Sequence, residues 1–222
     1  MEDDKTIYFI RHGESTYNEW RLRSILNFSW IFVKDPMIVD APLSTKGKLQ
    51  VVALKRMVQE QKLADTVEVI ITSPLTRAIE TTLGGFDGCA IPIQVNRLCR
   101  EMLDTACDVG RQPDELARAF GSKGIDTSDL STYWWLRHPT EATKIIPETA
   151  EQVAPLRETN ADVDARVTAF LAELQAMPQK TIAVVCHSNF IKRATKASRK
   201  LANCEIDKTT LRQLVSQHSS SK

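Results

Sequence analysis

The sequence carries almost no net charge that could attract a polyanionic partner. Lysine and arginine together number 29 against 28 aspartates and glutamates, which leaves +1 over 222 residues. No global electrostatic field is therefore available to recruit nucleic acid or an anionic membrane, and we expect neither as a partner. Any preference for an acidic ligand must come from a local cluster of side chains.

The first residues do not show the pattern of a secretory leader, and the sequence has no long hydrophobic run. Residues 1–5 are acidic and polar, where a secretory signal has a basic start followed by an apolar stretch. The most apolar segment, residues 24–33, is far shorter than the ~20 residues that span a bilayer. The sequence therefore predicts a cytoplasmic protein.

Paired cysteines are lacking as well. The chain has an odd number of cysteines and no C-x-x-C pair: Cys89, Cys99, Cys107, Cys186 and Cys204. This pattern predicts reduced thiols rather than a disulfide framework. Because histidine and cysteine also show no metal-ligand spacing, we expect no metal site and no cofactor.

What is present is the composition of an ordinary globular protein, with 42% hydrophobic and 26% charged residues, and we expect one domain over residues 1–222. Short β-branched runs predict strands at 6–10, 67–72 and 181–186. Helical patterns lie between them, at 44–62, 73–82 and 159–177, with Ser44 and Ser73 as N-caps and Gly84-Gly85 stopping the second. The alternation predicts an α/β fold, a three-layer sandwich whose mostly parallel central sheet is flanked by helices.

Other segments give weaker signals. Residues 90–95 are expected to form an edge strand, because Pro92 removes a ladder donor. Residues 98–155 lose strand character and are expected to be a helical insertion or cap with a helix at 114–120. The aromatic cluster at 133–135 is expected to pack in the core, and lining the cleft as part of a cap is the alternative. Ser188 or Asn189 is expected to cap a helix after the last strand. The tail, residues 216–222, is expected to be disordered.

The three firm strands end in cationic or ionisable groups. Arg11 and His12 follow the first strand, Arg77 lies just beyond the second, and His187 follows the last. In parallel sheets ligands bind beyond the carboxyl ends of the strands, so these side chains should meet at one rim. Two guanidiniums and two imidazoles suit a phosphoryl dianion. His138 and His218 follow no firm strand, and we expect no catalytic role for either.

Five stretches, in this order, resemble the motifs of the histidine phosphatase superfamily, the phosphoglycerate-mutase-like enzymes. They are RHGESTYN at 11–18, DAPLS at 40–44 with Gly47, SPLTRAIET at 73–81, LCRE at 98–101 and VVCHS at 184–188. The resemblance implies a phosphoglycerate-mutase-like fold. It spans residues 6 to about 195, and it departs from many relatives at Ser188, where they carry glycine.

The resemblance implies a role for each matching residue. His12 is the nucleophile that becomes phosphohistidine, and His187 is the second histidine, protonated and donating to the phosphoryl oxygens. Arg11 and Arg77 clamp those oxygens, with Asn18 and Ser188 as further substrate-binding residues. Glu101 is the expected proton donor to the leaving group, with Asp104 and Asp108 as competing carboxylates.

The implied activity is metal-independent hydrolysis of a phosphate monoester. A phosphoglycerate mutase is the first alternative, but residues 100–155 lack the arginine doublet of the family's mutases. A non-catalytic phosphate-binding module is the second alternative. The expected partner is a small phosphorylated substrate or a phosphopeptide, and the sequence leaves the ester and the oligomeric state open. Further cations could contact a substrate or be solvated surface: Arg21, Arg23, Arg111, Lys192 and Arg193.

Overall fold

The computed structural model describes residues 4–219 and contains one five-stranded sheet. The strands are β1 (Thr6–Arg11), β2 (Val69–Thr72), β3 (Ile93–Val95), β4 (Thr181–Cys186) and β5 (Ile206–Thr210), in the order β3-β2-β4-β1-β5. All neighbours pair in parallel except β5, which runs antiparallel to β1. The predicted α/β fold with a mostly parallel sheet is confirmed, and β3 lies at an edge as expected.

The helices surround this sheet. They are α1 (Thr16–Leu26), α2 (Thr45–Glu60), α3 (Leu63–Thr66), α4 (Thr76–Gly85), α5 (Pro113–Phe120), α6 (Ala150–Val153), α7 (Asn160–Ala176), α8 (Ser188–Ala194) and α9 (Leu211–Ser219). Alternate strand residues face opposite cores: Ile7 and Phe9 pack with α7, whereas Ile10 packs with α2. Among residues 4–219 no helix combines the length and the apolar character needed to cross a membrane.

Strand register brings the ends of the three central strands to one level. Arg11 at the end of β1 lies opposite Cys186 of β4, and Thr72 at the end of β2 lies opposite Val185. The residues that follow these ends therefore emerge side by side at one edge of the sheet.

Two helix starts are as predicted and two are corrected. The Ser44 hydroxyl accepts a hydrogen bond from the Gly47 amide (3.0 Å) and caps α2, and Thr159 caps α7. In contrast, α4 begins at Thr76 and not at Ser73-Pro74, and its N-cap is Leu75. The Ser73 hydroxyl contacts the His187 ring and accepts from the Leu75 amide (3.3 Å). The N-cap of α8 is His187 without a side-chain bond, so neither Ser188 nor Asn189 caps it.

The two glycines predicted to stop α4 lie within its last turn. A Cβ on Gly84 would stand 2.4 Å from the Val51 side chain of α2, and one on Gly85 would stand 2.7 Å from Leu54. These glycines therefore serve close packing of α4 on α2, and the helix continues through them to Gly85.

The predicted disordered tail is also corrected over its first part. Residues 216–219 belong to α9, which buried Leu211 and Leu214 attach to the core beside α7. Residues 220–222 lie outside the described residues. The sequence analysis missed α1 and β5, since neither shows a clean apolar period: β5 is a polar, half-buried edge strand.

The insertion, residues 98–155, packs on the main domain and is mostly irregular, with α5 close to its predicted place. Its core contains fully buried Trp134 and Trp135 against Leu75 and Ile79 at the start of α4. The aromatic cluster therefore packs as core, as predicted, and it holds the insertion over the edge of the sheet where the strand ends meet.

Candidate active site

A pocket of about 220 Å³ opens at the carboxyl ends of β1, β4 and β2. Six of the seven predicted site residues line it: Arg11, His12, Asn18, Arg77, Glu101 and Ser188. The seventh, His187, lies behind His12 with the ring centroids 5.0 Å apart. The structure thus brings the seven predicted site residues together.

His12 is held as a neutral imidazole with one defined free nitrogen. Its Nδ1 lies 2.6 Å from the Gly13 carbonyl oxygen, so Nδ1 carries the proton and donates it, and Nε2 keeps its lone pair. Burial lowers the pKa of His12 well below its usual value, and the neighbouring Arg77 and Arg11 charges lower it further. This is the state that a histidine nucleophile requires.

His187 has one satisfied and one free ring nitrogen. Its Nε2 lies 2.8 Å from the Ser73 hydroxyl oxygen, whereas the buried Nδ1 has no hydrogen-bond partner within residues 4–219. Burial lowers the pKa of His187 well below its usual value, with Arg77 and His12 adding to the effect. The ring is therefore neutral without a ligand, and the predicted protonated form applies only to a complex with a phosphoryl dianion.

Arg77 is oriented from the side of the insertion. Its Nη1 donates to the Cys107 carbonyl oxygen (2.6 Å) and its Nη2 to Asp108 Oδ1 (2.8 Å). Burial raises the pKa of Asp108 to about 6, although Arg77 opposes this. Asp108, considered from the sequence as a competing acid, is in this structure the partner of Arg77.

The remaining phosphate-binding candidates keep donors free. Arg11 donates through Nη1 to the Leu201 carbonyl oxygen (2.7 Å), while its buried Nε has no partner in the described part of the chain. Asn18 closes a capping box on α1, with Oδ1 accepting from the Ser15 amide (3.2 Å). Its cap role therefore uses the oxygen, and the amide group stays on the pocket wall. Ser188 lines the pocket as the first residue of α8.

Glu101 and Asp104 differ in how they are held. Glu101 is 9% exposed, and its carboxylate accepts from the amides of Met102 (2.9 Å) and Asn189 (3.4 Å). Asp104 lines the same pocket, but its side chain is 61% exposed and lies 3.5 Å from Arg157. Glu101 is therefore the fixed carboxylate at the pocket, and Asp104 is the solvated one.

A buried charge network, missed by the sequence analysis, anchors the backbone around Glu101. Glu158 accepts from Arg100 (2.6 Å) and from two nitrogens of Arg166 (2.8 and 2.9 Å). Arg166 also donates to the carbonyl oxygens of Arg100 (3.0 Å) and Glu101 (3.2 Å). The partners lie up to 66 residues apart, so no local spacing signals the network.

The pocket wall includes further residues that sequence reasoning did not assign. They are Ser15, Tyr17, Met102, Thr105, Cys107, Asn189 and Lys200. Of the cations considered from the sequence as substrate contacts, Arg21 lines the pocket, whereas Arg23, Arg111 and Arg193 form ion pairs elsewhere. Arg21 lies on α1, which was not predicted, and this explains why its position could not be anticipated.

Similarity to known proteins extends over nearly the whole chain. The model of the histidine phosphatase superfamily, branch 1, matches residues 7–219. "Phosphoglycerate mutase-like protein 1" of Arabidopsis thaliana is 26% identical over 223 residues, which cover 92% of this chain and 75% of that protein. A Schizosaccharomyces pombe protein named "Probable phosphatase" is 31% identical over 122 residues, 53% of this chain and 50% of that protein.

Solved structures share the fold. YhfR of Bacillus stearothermophilus superposes with a TM-score of 0.55 at 20% identity, covering 91% of this chain and 89% of that chain. The mycobacterial glucosyl-3-phosphoglycerate phosphatase superposes with a TM-score of 0.52 at 17% identity, covering 92% and 89%. At these identities the likeness establishes the architecture, and the chemistry has to be argued from the site.

Proposed function

Because the chain belongs to the histidine phosphatase superfamily, branch 1, we propose that it hydrolyses phosphate monoesters through a phosphohistidine on His12. The observation that carries this proposal is the state of His12. Its Nδ1 is held by the Gly13 carbonyl oxygen, burial and two arginines keep the ring neutral, and it lines the pocket together with both guanidiniums.

The proposed reaction has two steps. In the first, the Nε2 lone pair of His12 forms a bond to phosphorus while the bond from phosphorus to the ester oxygen breaks, and Glu101 gives its proton to the leaving oxygen. In the second, water attacks phosphorus, Glu101 takes a proton from that water, and the N–P bond breaks. Inorganic phosphate leaves, and His12 and Glu101 return to their starting states.

The positive charges around the pocket match the negative charge of the transferred phosphoryl group. Arg11 and Arg77 bring two positive charges to the pocket that His12 lines. His187 lies behind His12, with the ring centroids 5.0 Å apart. Phosphoryl transfer depends mainly on positioning and electrostatic stabilisation, so these groups should act most strongly on the transition state. A lysine at position 77 would lose the forked geometry.

Hydrolysis is favoured over phosphoglycerate mutase chemistry by the arginines of the insertion. None of the four arginines between residues 98 and 155 lines the pocket. Arg100 pairs with Glu158, Arg111 with Asp40, Arg118 with Asp114 and Arg137 with Asp162. The additional cationic contacts that the resemblance led us to expect of a mutase are therefore directed away from the site.

The proposal is tested with p-nitrophenyl phosphate in the presence of EDTA between pH 5 and 8. We expect metal-independent release of nitrophenol that falls by about 10⁴-fold in His12→Ala. His138→Ala, at an exposed histidine outside the pocket, is the matched control and should keep full activity. Rapid quenching with a ³²P-labelled ester should trap acid-labile, base-stable label on the wild type and none on His12→Ala.

Two outcomes would count against the proposal. Turnover retained in His12→Ala would exclude the phosphohistidine route. A folded wild type without turnover would direct attention to the alternatives, and assay with 3-phosphoglycerate and 2,3-bisphosphoglycerate then separates a mutase from a binding module.

A further inference from the structure

A second, larger cleft adjoins the phosphate pocket. This cleft, the α1 groove, has a volume of about 650 Å³, and its apolar lining is Tyr17, Trp20, Ile25 and Trp30. It is continuous with the phosphate pocket, because Tyr17, Arg21, Asp104 and Thr105 line both. A molecule held by its phosphate can therefore extend into the groove without leaving the protein surface.

One face of α1 supplies half of the residues that line the groove. Tyr17, Trp20, Arg21, Ser24 and Ile25 follow the spacing i, i+3, i+4, i+7 and i+8, which places them in one stripe along the helix. The rings of Tyr17 and Trp20 lie 5.7 Å apart, and the 3₁₀ turn Ser29–Ile31 adds Trp30 on the other side.

Such a stripe is normally covered by the protein's own core, but in this one only Ser24 is buried, whereas Arg21 and Ile25 are exposed. Ile25 is 50% and Trp30 49% exposed, and in the described part of the chain no other element covers them. Large apolar side chains gathered beside a reactive pocket mark a binding surface more often than scattered surface residues do.

The size of the phosphate pocket indicates what the groove receives. A volume of about 220 Å³ accommodates a phosphoryl group and a few further atoms, and it is smaller than ordinary small-molecule sites, which run from about 300 to 1,000 Å³. The alcohol part of a larger ester must therefore lie outside the pocket. On the α1 side it meets the side chains of Tyr17, Trp20, Ile25 and Trp30.

We propose that the α1 groove binds the alcohol part of the substrate, and that the preferred substrates are phosphate monoesters of apolar alcohols, aromatic or long-chain. This inference rests on the proposed phosphatase function, since it places the phosphoryl group beside His12. Four charged side chains also line the groove: Arg21 and Asp104 at the junction with the phosphate pocket, Arg157, which is paired with Asp104, and Lys34. Arg21 is thus placed to contact the phosphate end of the ester.

The first test is a chain-length series of ethyl, butyl, hexyl and octyl phosphate below their aggregation concentrations. We expect KM to fall by up to about fourfold for each added methylene until the groove is filled, because each methylene is transferred from water to an apolar surface. The value of kcat should change little, since the groove binds ground state and transition state alike. A KM independent of chain length would overturn the proposal.

Variants assign any such effect to the groove. Trp30→Ala and Ile25→Ala should raise KM for octyl phosphate by about three- to tenfold and leave ethyl phosphate unchanged. Leu26→Ala is the matched control, because Leu26 lies next to Ile25 on α1 and is 73% exposed but does not line the groove. Equal effects of Leu26→Ala and Ile25→Ala would contradict the assignment.

A binding measurement keeps this test separate from the proposed function. The His12→Ala protein, which should not turn over, is titrated with ethyl and octyl phosphate by calorimetry. Tighter binding of octyl phosphate, weakened by Trp30→Ala, supports the groove even if no ester is hydrolysed by the wild type. Equal affinities, together with binding of the protein to phosphatidylserine vesicles that Trp30→Ala abolishes, would assign this face to a membrane surface and overturn the proposal.

Discussion

The phosphate pocket and the α1 groove are neighbours, but they are built in opposite ways. In the pocket, His12, Arg77 and His187 are at most 3% exposed, and each is fixed by at least one hydrogen bond. In the groove, Ile25 and Trp30 are about half exposed and lie on one helix and one 3₁₀ turn. The groups proposed to carry the reaction are thus positioned by the core, whereas those proposed to select the alcohol belong to a peripheral surface.

This difference implies that the two sites can be altered separately. The pocket depends on strand register and on charges buried in the interior, so a change there should affect stability and reaction together. The groove depends on few tertiary contacts, so a change there should affect substrate choice alone. The following three changes test this separation.

The largest effect is expected from Glu158→Gln. This change leaves Arg100 and Arg166 buried without their shared carboxylate, and we expect a loss of about 3–5 kcal/mol in the free energy of unfolding. Because Arg166 also holds the Glu101 carbonyl oxygen, kcat should fall in the protein that remains folded. Urea unfolding and steady-state kinetics measure the two effects.

The control for this variant is Glu141→Gln, which removes an exposed ion pair with Lys144 on the insertion surface. It should leave both the urea midpoint and kcat unchanged. A Glu158→Gln protein as stable as the wild type would mean that the network does not anchor the pocket.

A smaller effect on the free energy of unfolding is expected from the two buried histidines as pH falls. The folded state keeps His12 and His187 neutral, because burial lowers their pKa, whereas the unfolded chain binds protons below about pH 6.5. Stability from these groups is therefore present above pH 6.5 and is lost as pH falls. Asp108 acts in the opposite sense, since its pKa is raised to about 6 and the folded state binds more protons between about pH 4 and 6.

Replacing one histidine isolates this contribution. When pH falls from 7.5 to 5.0, the free energy of unfolding should decrease in both proteins. The decrease should be smaller in His187→Asn than in the wild type, by up to about 2 kcal/mol, as measured by urea unfolding at each pH. Ile25→Ala, in the groove, should keep the wild-type pH dependence. The same slope in His187→Asn and wild type would show that His187 is not held neutral.

The smallest effect on stability is expected in the groove itself. Ile25→Ala should change the free energy of unfolding by no more than about 0.5 kcal/mol, because the side chain is half exposed. Leu54→Ala, at a fully buried position of α2, should cost about 2–5 kcal/mol in the same experiment. If the two costs were similar, the groove would be part of the structural core, and the contrast between the two regions would fail.

Much of the fold follows from local patterns. The apolar runs at 6–10 and 181–186 form adjacent strands, and Ser44 and Thr159 begin helices through side-chain bonds to amides three residues on. Ser73 shows the limit of this reasoning. Its residue type favours an N-cap, but its hydroxyl lies at hydrogen-bond distance from the imidazole of His187, 114 residues away. There, tertiary structure outweighed the local preference of serine for an N-cap. Likewise, α4 continues through Gly84 and Gly85, where the helix packs closely on α2.

The residues of the candidate site could be predicted from the strand ends and the motifs. A side chain that directly follows a buried parallel strand lies at the edge of the sheet where the carboxyl ends of the strands meet. The strand ends therefore predict that His12, Arg77 and His187 lie together. The pairing of Asp108 with Arg77, the network around Glu158 and the open face of α1 arise from contacts between segments far apart in the chain. No spacing along the sequence encodes such contacts. They depend on how the insertion and α1 pack against the sheet, and this packing is determined only in the tertiary structure.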